Sequence, residues 1–362
     1  MLQAALNLDA AKKLPDGQRM RTQQMTRNLK HSTQLGSLLL STALICSFAQ
    51  AQNTARPDLE GVWSNASLTN LTRRSGVNTL VVTPEDAQVI AASIPIGGIE
   101  GGFDEDDGVN NTPEAGAEDF GARAYNHFWV DPGSSLALVK GEFRTSYIIN
   151  PKNGQVPRLE KPTSDYRRTS FGSRYVTGIG NADGPEALPL SERCILSEGK
   201  AGPAMQSGLY NNNYEFVQTD DYVMINVEQM HDARIIPIFG SPTEARDNRR
   251  PEVLQQYMGD SVGWYENDAL VVETINVNPQ QMQQSSTAIT KNGKVTERFT
   301  RYSDTEIVYR FTVEDSDLYS QPWTAELSFH DIGGQLYEYA CHEGNYSMSG
   351  SLAGARRLEA EQ

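Results

Sequence analysis

The sequence predicts a mainly β protein, in which antiparallel strands close into a barrel or pack as paired sheets, with long loops and few short helices. Runs of β-branched and aromatic residues recur at intervals of about 8 to 14 residues through the second half of the chain. Turn-forming pairs such as Asp304-Thr305 and Gly333-Gly334 separate them. The length of 362 residues and the 38% hydrophobic content are enough to bury a core.

The predicted strands follow one another as a meander. The run 222–239 is broken in its middle by polar residues, and 264–274 is typical of a strand, a tight turn and a second strand. The segment 150–154 (NPKNG) is typical of a hairpin turn. The predicted strand segments are 59–63, 143–149, the two halves of 222–239, the two halves of 264–274, 295–300, 306–314, 323–329 and 335–340.

Two short helices are predicted. The first covers 84–92, because Thr83 can cap it, Pro84 suits its first position, and Glu85 and Asp86 lie in its first turn. The second covers 251–257.

The segment 97–121 has a different composition, with seven glycines and eight acidic residues. Its run Asp104-Glu105-Asp106-Asp107-Gly108 superficially resembles a calcium-binding loop. The glycine stands fifth instead of sixth, however, and no glutamate stands twelfth. We therefore interpret 97–121 as a solvated acidic surface loop.

The first 51 residues have the three parts of a secretory signal peptide. Arg27 and Lys30 precede an apolar run at 35–48, which is too short for the span of about 20 residues that a bilayer requires. Small residues then flank a cleavage site after Ala51. A start at Met20 or Met25 would give a more typical signal, which makes 1–19 an over-long start. The remainder, 52–362, is predicted to be one β-rich domain in the periplasm or outside the cell.

Charge and the absence of standard motifs limit the function classes. With 31 basic and 46 acidic residues, the net charge of −15 disfavours binding to nucleic acid or to an anionic membrane surface. No later segment is predicted to span a membrane. The sequence has no G-x-S-x-G, Walker A, G-x-G-x-x-G or H-E-x-x-H motif. We therefore expect a small-molecule partner and no nucleotide cofactor, and the oligomeric state stays open.

Cys194 and Cys341 are the two cysteines left after cleavage at Ala51. In an oxidising compartment they most simply form one disulfide. Two free buried thiols are the alternative.

Two histidines lie in unusually polar breaks of strand-like sequence, and they are the candidate catalytic residues. His231 would be the general acid or base, Asp232 would orient it, and Arg234 would bind an anionic group or a developing oxyanion. His342 and Glu343 would complete the site. On a regular strand His231 faces away from Asp232 and Arg234, so a shared cavity needs a bulge or a strand end there.

The same residues allow two other interpretations. His231 and His342, with Glu228 or Glu343, could bind zinc or a similar divalent ion. Alternatively, His231 and Arg234 satisfy buried polar groups in a structural network. The acid–base interpretation requires no cofactor.

A further polar cluster could bind a substrate. Asparagines flanked by tyrosines suit sugar or polar-ligand contacts, although a plain Asn-rich turn is the alternative. The candidate binding residues are Tyr210, Asn211, Asn212, Asn213, Tyr214 and the cavity-wall residue Trp323.

Several segments together resemble a group of secreted bacterial proteins of unknown function. The resemblance covers most of residues 57–356 and implies a secreted, β-rich protein, with no chemistry attached. The strand order is also similar to that of lipocalin-like barrels, which hold apolar or aromatic small molecules. The segments are PDLEGVW, RTSYIINPKNGQVP, ERCIL, YNNN, HDARIIP, TERFTR, FTVEDSDLYSQPWTAE and YEYACHEGNY, of which HDARIIP and YEYACHEGNY are the most specific.

We therefore expect a secreted, cofactor-independent enzyme (a hydrolase, lyase or isomerase) that uses histidine acid–base chemistry on a small organic molecule. The first alternative is a non-catalytic periplasmic binding protein for a small apolar or glycan ligand. The second is a metal-dependent hydrolase.

Overall fold

Nine strands close into a barrel in the computed structural model, which describes residues 56–94, 131–162, 184–196, 200, 202–278, 280 and 287–361. The predicted signal peptide, 1–51, and the acidic loop, 97–121, lie outside these residues. The strands are β1 (Gly61–Ser64), β2 (Val81–Val82), β3 (Leu138–Val139), β4 (Glu142–Arg144), β5 (Ile148–Asn150), β6 (Asn213–Gln218), β7 (Tyr222–Val227), β8 (Asp232–Phe239), β9 (Asp260–Glu266), β10 (Ala269–Ile275), β11 (Lys294–Ser303), β12 (Glu306–Glu314) and β13 (Trp323–Asp331). The helices are α1 (Pro84–Ala92), α2 (Pro242–Asp247) and α3 (Tyr346–Ala360).

The barrel order is β1, β6, β7, β8, β9, β10, β11, β12, β13, and pairing of β13 with β1 closes it. The mainly β class is therefore confirmed. All the barrel pairs are antiparallel except β8 with β9, which run parallel and are joined through α2. A parallel pair needs such a crossover, because its strands start at the same end of the sheet.

The barrel interior is filled by aromatic side chains at alternate positions of the strands. Neighbouring rings lie 4.8 to 5.7 Å apart, a packing distance at which edge-on and tilted contacts are favourable. The segment 202–207 covers one end, where Met205 is fully buried and donates its backbone N–H to the Tyr309 hydroxyl (3.0 Å). The interior aromatic residues are Tyr214, Phe216, Phe299, Tyr309, Phe311, Trp323 and Phe329.

Helix α1 begins and ends where the sequence predicts. The Thr83 hydroxyl accepts the Asp86 N–H at 3.2 Å, and Pro84 occupies the first helical position. The predicted break in 222–239 is also confirmed, since β7 and β8 flank a single 3₁₀ turn at Gln229–His231.

Other element predictions were wrong. Residues 251–257 form turns, and the helix lies earlier, at α2, where the Ser241 hydroxyl accepts the Glu244 N–H (3.2 Å). Residues 335–340 form no strand, because they lie outside the barrel and expose Tyr337. The predicted strand 143–149 is divided between β4 and β5, which belong to different sheets. Helix α3 was not predicted from the sequence.

A small sheet of β2, β4 and β3 covers the outer face of β12 and β13. The carboxylate of Glu326 on β13 is buried there between Arg310 (2.6 Å), Arg144 (3.4 Å) and Lys140 (3.5 Å). Burial acts to raise the pKa of Glu326, but the Arg310 hydrogen bond and the nearby positive charges outweigh it, so the pKa lies below its ordinary value of 4.5. Such a carboxylate stabilises the fold at neutral pH and loses this effect as the pH falls.

No helix in the described part of the chain is long and apolar enough to cross a bilayer.

We predict that Glu326→Gln lowers the free energy of unfolding at pH 7 by about 2 kcal/mol, because three cations lose a buried partner. Its stability should fall less steeply than that of the wild type once the pH drops below about 4.5. Urea unfolding over a pH series measures both effects. Glu314→Gln is the matched control, since its pair with Lys294 is exposed on both sides and should change stability by less than about 0.5 kcal/mol. Equal effects of the two variants would contradict the prediction.

Candidate functional site

Most of the predicted site residues lie at one end of the barrel, which we call the upper end. Here β7 ends, and β6 and β8 begin, so that Tyr214 faces Val227 and Val227 faces Asp232. The predicted disulfide is confirmed, with an S–S distance of 1.98 Å between Cys194 and Cys341.

The Glu228 carboxylate is buried at the upper end. Its two oxygens accept hydrogen bonds from the side-chain amides of Asn211 (2.7 Å) and Asn213 (2.6 Å). Both oxygens of Glu228, one of the two carboxylates that the metal interpretation offered, are therefore already engaged by amides. Within the described ranges, no group of three or more His, Cys, Asp or Glu side chains is placed to hold a metal ion.

The turn before β8 is strained at two successive residues. Met230 and His231 have φ angles of 64° and 54°, in the left-handed region that non-glycine residues rarely occupy. Each such residue costs of order 1–3 kcal/mol, and such strain concentrates at functional sites. The exposed His231 ring accepts the backbone N–H of Tyr339 at Nε2 (3.2 Å). A neutral ring with an accepting Nε2 carries its proton on Nδ1.

The segment that carries His342 and Glu343 lies against this turn. The Tyr339 contact and the Cys341 disulfide fix it, and the Asn345 side chain donates to the Glu192 carbonyl (2.7 Å). His342 and Glu343 are both exposed. The two predicted histidine segments are therefore brought together, although they are more than 100 residues apart in sequence.

Asp232 and Arg234 face the barrel interior, away from the exposed His231 ring. Two nitrogens of Arg234 contact the buried Glu297 carboxylate at 3.0 and 2.5 Å. The Tyr309 hydroxyl donates to the same carboxylate (2.7 Å). Burial acts to lower the pKa of Arg234, but Glu297 outweighs it and raises the pKa, so the guanidinium stays charged. His231 and Arg234 thus occupy different environments.

Burial, and then the Glu297 charge, raise the pKa of Tyr309 well above 10.0, which keeps it a neutral hydrogen-bond donor. The residues Glu297 and Tyr309 were absent from the sequence-based site. The sequence offered one signal for them: Glu297 is a charged residue, and Tyr309 a polar aromatic one, at a core position of a predicted strand.

The Asn-rich cluster supports the upper end of the barrel. Asn212 is buried; its Oδ1 accepts the Gly208 N–H (2.7 Å), and its Nδ2 donates to the Asp131 and Gly208 carbonyls (3.0 Å each). The Tyr214 and Trp323 rings lie in the closed core. Tyr210 is half-buried, with the Lys200 ammonium 5.3 Å from its ring centroid.

A cleft of about 230 Å³ lies where β8 and β9 separate. The two strands pair only at Ile238 with Gly263 and at Phe239 with Trp264. The ladder stops at Pro237, because proline has no N–H to donate to β9. The residues lining the cleft include Arg234, Ile235, Arg250, Gln256, Met258 and Ser261.

The cleft holds two guanidinium groups with different surroundings. Arg234 lies in its wall, 3% exposed, and its Nε–H has no hydrogen-bond partner in the described part of the chain. Arg250 is exposed and makes no ion pair with any described residue. Its neighbour Arg249, by contrast, pairs with Asp260 and Glu273. Arg250 was not among the predicted site residues, and the Arg249-Arg250 pair is no distinctive signal, since the sequence has three other Arg-Arg pairs, at 73–74, 167–168 and 356–357.

No protein-family model, curated protein or solved structure matches the chain. The resemblance to a group of secreted bacterial proteins therefore stays a prediction.

We predict that Glu297→Leu lowers the free energy of unfolding by about 3–5 kcal/mol, because it leaves the Arg234 charge buried without a partner. Adding Arg234→Met should restore most of this loss, since an apolar pair of similar volume replaces the ion pair. Guanidinium chloride unfolding of both single variants and the double variant measures the coupling. Additive losses would show that the pair is not the stabilising contact.

Proposed function

We propose that the protein is an exported binding protein that takes a small organic carboxylate in the cleft between β8 and β9. The supporting observation is the exposed Arg250 guanidinium, which has no ion-pair partner among the described residues and lies at a cleft whose wall contains Arg234. Guanidinium groups bind carboxylates through short, charge-assisted and often bidentate hydrogen bonds.

The remaining lining favours a ligand that is part polar and part apolar. Met258 and Ile235 offer apolar surface, whereas Ser261 and Gln256 offer hydrogen-bonding groups. The cleft is smaller than the roughly 300–1,000 Å³ typical of sites for drug-sized ligands, which favours a small group. The net charge of −15 disfavours polyanions such as nucleotides, so a single carboxylate suits the site best.

Export is part of the proposal. The predicted signal peptide supports it, and so does the Cys194–Cys341 disulfide, because disulfides persist in oxidising compartments.

We predict that Arg250→Gln weakens the binding of benzoate, used as a simple carboxylate probe, by about tenfold or more. Isothermal titration calorimetry at constant ionic strength measures the change. Benzamide, which lacks the charge, should bind weakly to both forms. The control variant Arg357→Gln, on exposed α3, removes the same charge far along the chain and should leave benzoate binding unchanged. Equal losses in the two variants would indicate a general charge effect and count against the cleft.

A second candidate function is acid–base catalysis at His231, and the strained Met230-His231 turn favours it. In this arrangement the Nδ1–H of His231 would donate to a substrate oxygen, because Nε2 is occupied by the Tyr339 N–H. The exposed His342 or Glu343 would then act as the base. Of the two roles that the sequence suggested for His231, general acid and general base, this arrangement assigns it the acid.

We predict that, if this second function holds, the protein hydrolyses 4-nitrophenyl acetate and His231→Ala lowers the rate by about 100-fold. His330→Ala is the control, because the half-buried His330 ring also has a backbone partner, the Leu138 carbonyl (3.0 Å). Steady-state absorbance assays with folded variants measure both. Similar rates for the wild type and both variants would mean that exposed imidazoles react nonspecifically and that His231 has no catalytic role.

A further inference from the structure

We infer that the cleft binds the carboxyl end of an extended peptide, which adds to the open edge of β8 and places its terminal carboxylate on Arg250. This inference rests on the proposed function and names the class of carboxylate that the site takes.

The open edge of β8 follows from the pairing register. The Ile238 N–H donates to the Asp221 carbonyl on the β7 side (2.8 Å), and the pairing continues with Ile236 opposite Val223 and Arg234 opposite Ile225. In an antiparallel ladder, successive residues direct their backbone groups to opposite sides. The backbone groups of the odd-numbered residues therefore point toward β9; these residues are Ala233, Ile235 and Pro237.

This edge offers strand-forming backbone groups that no described strand covers. Among the described strands, none pairs with Ala233 or Ile235 on the β9 side, since β9 pairs with β8 only from Ile238 onward. In an added peptide strand, the backbone groups that face the same side recur about every 6.8 Å. The same distance separates Ala233 from Ile235 along β8. Addition of a peptide to such an edge is an established mode of recognition.

The charge of Arg250 and the small volume of the cleft favour binding of the end of a peptide over binding of an internal segment. The cleft holds about 230 Å³, which limits how many residues it can enclose. Its lining contains Arg250, which forms no ion pair within the described part of the chain. A terminal carboxylate supplies the single negative charge that Arg250 lacks. The apolar Met258 side chain can contact the last side chain of the peptide.

The test compares four ligands on the full chain by calorimetry: benzoate, the peptide acetyl-Gly-Ala-Val with a free carboxylate, its C-terminal amide, and the acid N-methylated at its last peptide bond. We expect the free acid to bind about tenfold more tightly than the amide. N-methylation should weaken binding about fivefold, because it removes a donor that pairs with the edge.

Variants of the protein test the edge itself. Ile235→Pro removes an N–H that faces the cleft and takes no part in the β7–β8 ladder, together with the isoleucine side chain. Ile235→Pro should weaken the binding of the peptide about fivefold and leave the binding of benzoate unchanged. Ile235→Val should leave the binding of both ligands unchanged. Were Ile235→Pro not to fold, the N-methylated peptide still decides the question on the wild-type protein.

The outcomes separate the two proposals. Arg250-dependent binding of benzoate, with equal affinity for acid, amide and N-methylated peptides, overturns the peptide inference and leaves the proposed function in place. Binding of benzoate that does not depend on Arg250 overturns the proposed function. No binding of any of the four ligands at millimolar concentration overturns both.

Discussion

The buried ion pair between Arg234 and Glu297 holds together the strands at the upper end of the barrel. It joins β8 to β11, and Tyr309 extends it to β12 and to the covering segment at Met205. Two charges in a closed core require close geometry and further hydrogen bonds to offset their desolvation. The backbone of Gly202 supplies part of that fit, since a Cβ there would lie 2.4 Å from the Arg234 guanidinium. The covering segment and the barrel strands therefore fix one another.

One residue type explains why a cleft opens beside this rigid core. Pro237 cannot donate to β9, so the single parallel pair among the described barrel strands is short and its strands separate toward the upper end. The same separation leaves Arg234 in the cleft wall, although Glu297 has neutralised its charge. Arg250 is thus the charge available to a ligand, and Arg234 gives the wall its shape and one N–H without a partner in the described structure.

Local signals made α1 and the two halves of 222–239 predictable, because a capping threonine and a polar break act within a few residues. The disulfide was expected because two cysteines follow the signal peptide, and the meeting of the two histidine segments was expected from their polar breaks in strand-like sequence. Contacts between residues that are far apart in the sequence were not predictable. Glu297 lies 63 residues from Arg234, and nothing near either residue reveals the pairing. The parallel crossover was missed because a helix prediction at 251–257 left α2 unrecognised, and with it the cleft and Arg250.

The alternation of β8 allows one short strand to stabilise the core and to border the cleft. Even-numbered residues from Asp232 to Ile236 face the core, so Arg234 can stabilise the barrel without exposing its charge. Odd-numbered residues lie on the surface and on the open edge, where Ala233 and Ile235 border the cleft. A peptide that continued along this edge past Ala233 would approach the strained turn that holds His231. The two candidate sites are therefore consecutive stretches of one strand and the turn that precedes it.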